Sequence, residues 1–239
     1  MRQILITNDD GIRSDGLLRL ARAATVFGQV WVVAPERQRS AASQSITLHK
    51  PIDLYPVPYP VEGVRAFAIS GTPADCIRLG ILNVLHAKPD LVLSGINYGY
   101  NAATDMQYSA TVGAALEARF QGCQAIALSE DATPHHPVTG KWLEPVLVQL
   151  LDRPLGPRQI WNVNFPGCPL EQCQGVLEGC TVSSETFFLD RYQVQEELEN
   201  GVLRLMVDGR PNPALGEPGS DFRALKDGYV SVGVVTNLG

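Results

Sequence analysis

The sequence lacks a membrane-spanning segment, a signal peptide and paired cysteines. No apolar run approaches the roughly 18 residues that a membrane-spanning helix needs. The N-terminus does not resemble a signal peptide, because Asp9 and Asp10 interrupt a short apolar run. The five cysteines include no Cys-x-x-Cys pair, which argues against a zinc knuckle and a disulfide framework. We therefore expect free thiols, no membrane partner and a cytoplasmic location.

Positive charge is also scarce. The chain has 239 residues and carries 19 Lys and Arg against 25 Asp and Glu, a formal net charge of -6. This balance argues against a nucleic-acid partner, because a broad nucleic-acid-binding face requires clustered basic side chains. An anionic ligand would therefore need local help from a bound metal ion or from a helix N-terminus.

Motifs of several well-known chemistries are missing. Neither Gly-x-Gly-x-x-Gly nor Gly-x4-Gly-Lys-Ser/Thr occurs, which argues against a dinucleotide-binding site and against a P-loop. His-Glu-x-x-His and Gly-x-Ser-x-Gly are absent as well, and none of the four histidines has a motif partner. His135 and His136 lie between two prolines, which predicts an exposed loop.

An alternation of strand-like and helix-like segments is present before residue 168. The predicted strands are 4–7, 30–34, 67–70, 91–94, 125–129 and 161–164, and the predicted helices are 17–27, 73–85, 111–120 and 142–151. This order is typical of an α/β fold with a mostly parallel sheet and helices on both faces. The alternation then fails, and further strands are predicted at 202–207 and 229–232. We predict a core over 1–167 and a β-rich extension over 168–239 that packs on it and forms an oligomer contact.

The most informative segment is Asn8-Asp9-Asp10-Gly11, directly after the first predicted strand. Parallel strands deliver the residues that follow them into a crevice at the carboxyl edge of the sheet, where such folds bind ligands. Two neighbouring carboxylates are costly to keep ionised there unless a hard divalent cation binds their oxygens. The alternative is a plain hairpin turn, because Asp-Gly between apolar stretches is its commonest signal.

Polar loops after the second and fourth predicted strands favour the cation site. The loop after 30–34 contains Ser40, and the loop after 91–94 contains Asn97. Strands of one parallel sheet would bring both to the edge that carries Asp9 and Asp10. Two carboxylates, a hydroxyl and an amide make an all-oxygen set, which suits Mg²⁺ or Mn²⁺ rather than zinc.

A second element of the expected site is the start of the helix near residue 111. Its unpaired backbone N–H groups and the positive end of its dipole would form an anion cradle at Ser109 and Thr111. The alternative is that both side chains simply cap the helix.

Seven short segments form a series along the chain. They are Thr-Asn-Asp-Asp-Gly at 7–11, Val-Ala-Pro-x4-Ser at 33–40, Gly-Thr-Pro-Ala-Asp-Cys at 71–76, Ser-Gly-Ile-Asn-x-Gly-x-Asn at 94–101, Tyr-Ser-x-Thr-Val-Gly-Ala-Ala at 108–115, Asn-Val-Asn-Phe-Pro at 162–166 and Asp-Gly-Tyr-Val-Ser-Val at 227–232. In this order they resemble the motifs of the SurE family of metal-dependent nucleoside monophosphate phosphatases. The resemblance extends almost to the C-terminus.

The resemblance implies a Rossmann-like three-layer core and hydrolysis of nucleoside 5'- and 3'-monophosphates, with short polyphosphate as a further substrate of some members. It also implies a homodimer with exchanged C-terminal elements, able to pair into a dimer of dimers. One divalent metal ion per subunit is implied, Mg²⁺ or Mn²⁺, with Co²⁺ as a further candidate. Carried over by position, the family's metal ligands fall on Asp9, Asp10, Ser40 and Asn97.

From these ligands we predict the roles of the site residues. Asp9 and Asp10 are the expected catalytic residues, one of which orients or deprotonates the attacking water. The expected substrate contacts are Asn8, Asn101, Ser109 and Thr111, although Asn8 could instead fix its own loop. Two rival interpretations remain open. Asp9 could act as a covalent nucleophile, or the chain could be a metal-dependent nucleotide sensor with little catalysis.

Two departures from the family pattern lie near the site. Ala41 and Ala110 stand where the family usually has glycine. Alanine would strain the loop or crowd the substrate if either position requires a positive φ or a close backbone approach. Residues 180–217 also match the family poorly, so the reaction is better predicted than the preferred substrate.

Overall fold

The computed structural model describes residues 1–236, and its main feature is a large mixed β-sheet. The strands are β1 (Gln3–Thr7), β2 (Gln29–Pro35), β3 (Leu54–Val57), β4 (Arg65–Ile69), β5 (Leu91–Tyr98), β6 (Gln124–Glu130), β7 (Gln159–Phe165), β8 (Val176–Cys180), β9 (Phe188–Glu197), β10 (Leu203–Pro211) and β11 (Val230–Thr236). Nine of them pair in the order β3-β4-β2-β1-β5-β6-β7-β11-β8, while β9 and β10 form a separate antiparallel hairpin. The six strands from β4 to β7 in this order are mutually parallel.

Helices cover both faces of the sheet. They are α1 (Asp15–Ala24), α2 (Pro73–Leu79), α3 (Ala110–Phe120), α4 (Pro137–Leu150) and α5 (Asp221–Lys226), and a π-helical stretch at Gly80–Leu85 continues α2. Alternation along β1 fixes the layers, because successive side chains of a strand point to opposite faces. Ile4 and Ile6 pack in the same core as α1 and α4, whereas Leu5 packs with α2 and α3. The predicted three-layer α/β fold is confirmed.

The predicted elements are found with shifted ends. Helix α4 begins at Pro137 rather than at residue 142, since proline suits the first turn of a helix. β10 and β11 overlap the two strands predicted after residue 168. β3, β8, β9 and α5 were not predicted. β9 is exposed along its whole length in the single chain, so its sequence carries little of the pattern that burial of one face imposes on a strand.

The region after residue 168 divides between the main sheet and the hairpin. β11 pairs antiparallel with β7 and parallel with β8, so both strands extend the main sheet. The β9–β10 hairpin is the β-rich part that stands outside it. The boundary at residue 167 stays a prediction. Across residues 1–236, every helix is too short or too polar to cross a membrane.

Candidate active site

Three loops meet at the carboxyl edge of the sheet because β1 lies between β2 and β5. The loop after β1 carries Asp9 and Asp10. The backbone N–H of Arg39, in the loop after β2, donates to the Asp9 carbonyl over 2.7 Å. The N–H of Tyr98, at the end of β5, donates to Asp10 Oδ2 over 3.0 Å. Adjacent parallel strands therefore bring the predicted loops together, and the hairpin-turn alternative is wrong, because β1 runs parallel to both neighbours.

Asn8 fixes the shape of the first loop. Its Nδ2 donates to the Gly11 carbonyl at 3.2 Å and to Ser14 Oγ at 2.6 Å, and its Oδ1 accepts from the Gly11 N–H at 3.2 Å. Ser14 in turn caps α1 by accepting from the Leu17 N–H. The Asn8 side chain is fully buried by these contacts. Of the two roles predicted for Asn8, this geometry favours the loop-fixing one.

Asp9 is the buried acid of the pair, with 3% of its surface exposed. The Thr111 hydroxyl, at the start of α3, donates to Asp9 Oδ1 over 2.6 Å. Burial raises the pKa of Asp9 to about 6, the Thr111 hydrogen bond lowers it, and the neighbouring Asp10 charge raises it. An acid with this pKa is partly protonated near neutral pH in the metal-free protein.

Asp10 lies closer to solvent and contacts a neighbour of each of the other two predicted ligands, Gln38 beside Ser40 and Tyr98 beside Asn97. Partial burial raises its pKa, the Tyr98 N–H opposes that shift, and the charge of Glu130 adds to it. Gln38 Nε2 donates to Ser40 Oγ at 2.9 Å and lies 3.5 Å from Asp10 Oδ1, so it bridges the two. Asn97 precedes Tyr98, and its Nδ2 donates to the Gly99 carbonyl over 2.7 Å.

The four residues fit a hard divalent cation by their chemistry. All their side chains offer oxygen ligands, which Mg²⁺ and Mn²⁺ prefer. Both carboxylates have raised pKa values because they are partly or wholly removed from water, and a bound cation would offset that cost. No group of three or more His, Cys, Asp and Glu side chains able to hold a metal occurs within residues 1–236. The amide and hydroxyl oxygens are therefore needed to complete a ligand set.

The start of α3 faces Asp9. Ser109 caps the helix by accepting from the Val112 N–H at 3.1 Å, and Thr111 holds Asp9. The capping interpretation is confirmed for Ser109 and is wrong for Thr111, which lies inside the helix. The Ser109 N–H donates to the Met106 carbonyl over 3.1 Å, so an anion cradle here depends on the backbone N–H groups that follow it. Gly113 allows the loop of Ser40 to reach this helix, since a Cβ there would lie 2.3 Å from the Ser43 carbonyl oxygen.

Asn101 is held by a buried amide network that the sequence did not predict. Asn164 Oδ1 accepts from the Asn101 N–H at 2.8 Å, and Asn164 Nδ2 donates back to the Asn101 carbonyl at 3.1 Å. Asn162 Nδ2 donates to the same carbonyl at 2.9 Å, and Ser129 Oγ accepts from Asn101 Nδ2 at 2.8 Å. The available signal was the alternation Asn162-Val163-Asn164 inside a buried strand, where amides need partners.

Replacing Asn164 by alanine should lower the free energy of unfolding by about 2 to 3 kcal/mol, because it leaves the buried Asn101 N–H unpaired. Asn162→Ala is the matched control and should cost about 1 kcal/mol, since Asn164 still donates to the Asn101 carbonyl. Urea denaturation of both variants measures the difference. Equal losses would contradict this account of the network.

A buried ion cluster next to Asp10 was also missed. Glu130, at the end of β6, is 1% exposed and binds Arg19 of α1 through both carboxylate oxygens. His136 Nδ1 lies 3.1 Å from Glu130 Oε2, with only 14% of the His136 side chain exposed. The prediction of an exposed loop is therefore wrong for His136, because tertiary contact with a buried carboxylate overrides the local Pro-rich pattern. His135 is exposed as predicted.

The two alanines at family glycine positions differ in conformation. Ala41 adopts a positive φ of 58°, whereas Ala110 is helical and fully buried. Ala41→Gly should remove the left-handed strain, while Ala42→Gly, at a position without positive φ, should only add chain entropy to the unfolded state. We expect Ala41→Gly to be more stable than Ala42→Gly by about 1 to 2 kcal/mol in urea denaturation. The reverse order would contradict strain at Ala41.

The fold and the site define an α/β protein with an acidic pair, one acid buried and the other partly buried, at the carboxyl edge of a parallel sheet. The family model described as "Survival protein SurE" matches residues 4–187. Over 235 residues the chain is 38% identical to the "5'-nucleotidase SurE" of Halorhodospira halophila, covering 96% of this chain and 89% of that protein. The chain therefore belongs to the SurE family.

Two further comparisons agree with this assignment. The "5'/3'-nucleotidase SurE" of Erwinia tasmaniensis is 37% identical over 231 residues, covering 96% of this chain and 88% of that protein. The crystal structure of the SurE protein from Aquifex aeolicus superimposes with a TM-score of 0.83 at 30% identity, covering 99% of this chain and 94% of the other. The resemblance expected from the motifs is confirmed along almost the whole chain.

Proposed function

We propose that this protein is a divalent-metal-dependent phosphomonoesterase that hydrolyses nucleoside 5'- and 3'-monophosphates to nucleoside and phosphate. The observation that carries the proposal is the Thr111 hydrogen bond to Asp9, which joins the acidic pair to the start of α3. A cation site and an anion site then lie side by side, as a phosphate ester and its metal require. The names of the relatives support nucleotides as the substrate class.

Asp9, Asp10, Ser40 and Asn97 would hold the ion, Mg²⁺ or Mn²⁺, with Co²⁺ as a third candidate. Such an ion withdraws charge from phosphoryl oxygens and lowers the pKa of a water that it binds. One of the two acids orients or deprotonates the attacking water. The start of α3 at Ser109 and Thr111, together with Asn101, contacts the phosphate; because the Ser109 N–H donates to the Met106 carbonyl, the backbone donors are those that follow it, including the N–H of Thr111. Asn8 supports the loop that presents both acids.

The test is release of inorganic phosphate from a panel of nucleoside 5'- and 3'-monophosphates, with glycerol 2-phosphate and tripolyphosphate for comparison. Each substrate is assayed in EDTA and after restoring Mg²⁺, Mn²⁺ or Co²⁺. We expect metal-dependent release that favours the nucleotides. Nucleotide binding without release under any metal would contradict the proposal and favour a nucleotide sensor. A fluoroberyllate adduct trapped on Asp9 would instead support the covalent route.

We also propose that the chain assembles as a homodimer, with a dimer of dimers as the next level. The β9–β10 hairpin supports this, because it exposes apolar side chains such as Tyr192, Val194, Leu205 and Met206 by 49% to 71%. A two-stranded hairpin is marginal without further packing, and a second copy would cover it. Light scattering coupled to size-exclusion chromatography measures the mass of the assembly.

A cytoplasmic location fits the five free thiols, which persist in a reducing compartment.

A further inference from the structure

A cavity of about 420 Å³ opens beside Asp10, on the side of β5 and β6. Its lining includes Asp10 and Gln38 from the proposed metal site and Tyr98 from the end of β5. A volume of this size falls within the ~300 to 1,000 Å³ that small-molecule sites occupy. The cavity therefore has room for the part of a substrate that extends beyond its phosphate.

Tyr98 gives this cavity an exposed aromatic wall. The side chain is 54% exposed, although Tyr98 ends a strand whose first six residues are buried. Its position is fixed at both ends. The backbone N–H donates to Asp10 over 3.0 Å, and the ring contacts His136 at a centroid distance of 6.2 Å and an angle of 83°. A flat aromatic surface is thus held next to one of the proposed metal ligands.

The charge of the cavity disfavours a second phosphate. Its lining contains three carboxylates, Asp10, Asp15 and Glu130, and the guanidinium of Arg19 already binds both Asp15 and Glu130. Even with Asp10 bound to the cation, the two carboxylates of Asp15 and Glu130 outnumber the single guanidinium of Arg19, so the described residues on the far side of this cavity offer a phosphate anion no free cation. An uncharged flat group meets no such repulsion and can stack on the tyrosine ring, as nucleobases stack on aromatic side chains.

We propose that this cavity is the nucleoside subsite and that Tyr98 is the stacking surface for the nucleobase. The inference rests on the proposed nucleotidase function and adds to it the direction in which the substrate lies. The phosphate is held between the acidic pair and the start of α3, and the nucleoside extends past Asp10 toward β5 and β6.

A larger cavity of about 540 Å³ is less suited to this role. It lies between the start of α1 and the β3–β4 edge of the sheet and is lined by residues such as Ile12, Tyr55 and Tyr59. None of the residues proposed to bind the metal or the phosphate lines it. A base stacked there would not share a substrate with the acidic pair as directly as one on Tyr98.

The experiment compares Tyr98→Ala and Tyr98→Phe with Tyr108→Ala as the matched control. Tyr108 is also an exposed tyrosine, 68% exposed, but it lies beside the start of α3. The readout is the ratio of kcat/KM for AMP to kcat/KM for glycerol 2-phosphate, measured with Mn²⁺. Tyr98→Ala should lower this ratio about tenfold or more, because it removes one base–aromatic stack. Tyr98→Phe keeps the ring and should retain the ratio, as should Tyr108→Ala.

The outcomes separate this inference from the proposed function. An unchanged ratio in Tyr98→Ala, while the unmodified protein hydrolyses AMP, would overturn the subsite and leave the nucleotidase function standing. A fall in Tyr108→Ala alone would also overturn it and would place the base on the α3 side. If the unmodified protein releases phosphate from no nucleotide, the proposed function fails. AMP binding by calorimetry then decides the subsite, and equal affinity in Tyr98→Ala, or no binding at all, would overturn it.

Discussion

Asp9→Asn is expected to lower kcat/KM for nucleoside monophosphates about a thousandfold or more. The substitution keeps the shape of the side chain and its contact distance to Thr111, but it removes the charge that would hold a divalent cation. A metal ion contributes several kcal/mol of transition-state stabilisation in phosphoryl chemistry, and each 1.36 kcal/mol corresponds to about tenfold in rate. The measurement is phosphate release from AMP with Mn²⁺ at saturating concentration.

The matched control is Asp53→Asn, which removes an exposed carboxylate outside the site and should leave turnover unchanged. A second readout separates loss of the metal from loss of a base. Mn²⁺ should raise the melting temperature of the unmodified protein, because a ligand that binds only the native state stabilises it by mass action. It should have much less effect on Asp9→Asn. Turnover within a few-fold of the unmodified protein would exclude Asp9 as a metal ligand and catalytic residue.

Asp9 should also make the metal-free protein less stable as the pH rises from 4 to 7. Its pKa in the folded state is raised from 3.8 to about 6, chiefly by burial. The folded state therefore binds more protons than the unfolded state between these two pH values. This contribution to stability is fully present below pH 3.8 and is lost as the pH rises through about 6. The loss amounts to up to about 3 kcal/mol.

The measurement is the free energy of unfolding in EDTA at several pH values for the unmodified protein and for Asp9→Asn. Asparagine carries no charge to desolvate, so the variant should gain stability relative to the unmodified protein between pH 4 and pH 7. Asp53→Asn, at an exposed position, is the control for removing one carboxylate from the chain. A parallel pH dependence of all three proteins would contradict the burial of an ionisable Asp9.

Much of the site could be predicted because parallel strands obey a simple spatial rule. Asp9 and Ser40 follow strands and Asn97 lies near the end of one, and strands of one parallel sheet present such residues at a common edge. Packing alone also gives little reason for two neighbouring carboxylates at that edge, because they are costly to keep ionised in a crevice. The motif series then supplied the family, which the comparisons confirm over 4–187 and almost the whole chain.

Contacts between residues that are far apart in the sequence could not be predicted in the same way. Asn164 binds Asn101 over a separation of 63 residues, and Arg19 binds Glu130 over a separation of 111. Nothing in the local pattern of either member identifies its partner. His136 shows the same limit, because its Pro-rich surroundings indicated exposure while its partner, Glu130, lies in a buried strand.

The sequence by itself determined the α/β class, the acidic pair after the first strand and the family, because strand periodicity and short motifs are local properties of the chain. The tertiary structure decided which acid is buried, that Thr111 holds Asp9, that Asn8 supports its own loop, and that Tyr98 faces a cavity beside Asp10. These properties depend on which groups exclude water from each other once the sheet and its helices have packed. Burial and charge pairing are set by neighbours in space, and only the folded chain supplies those neighbours.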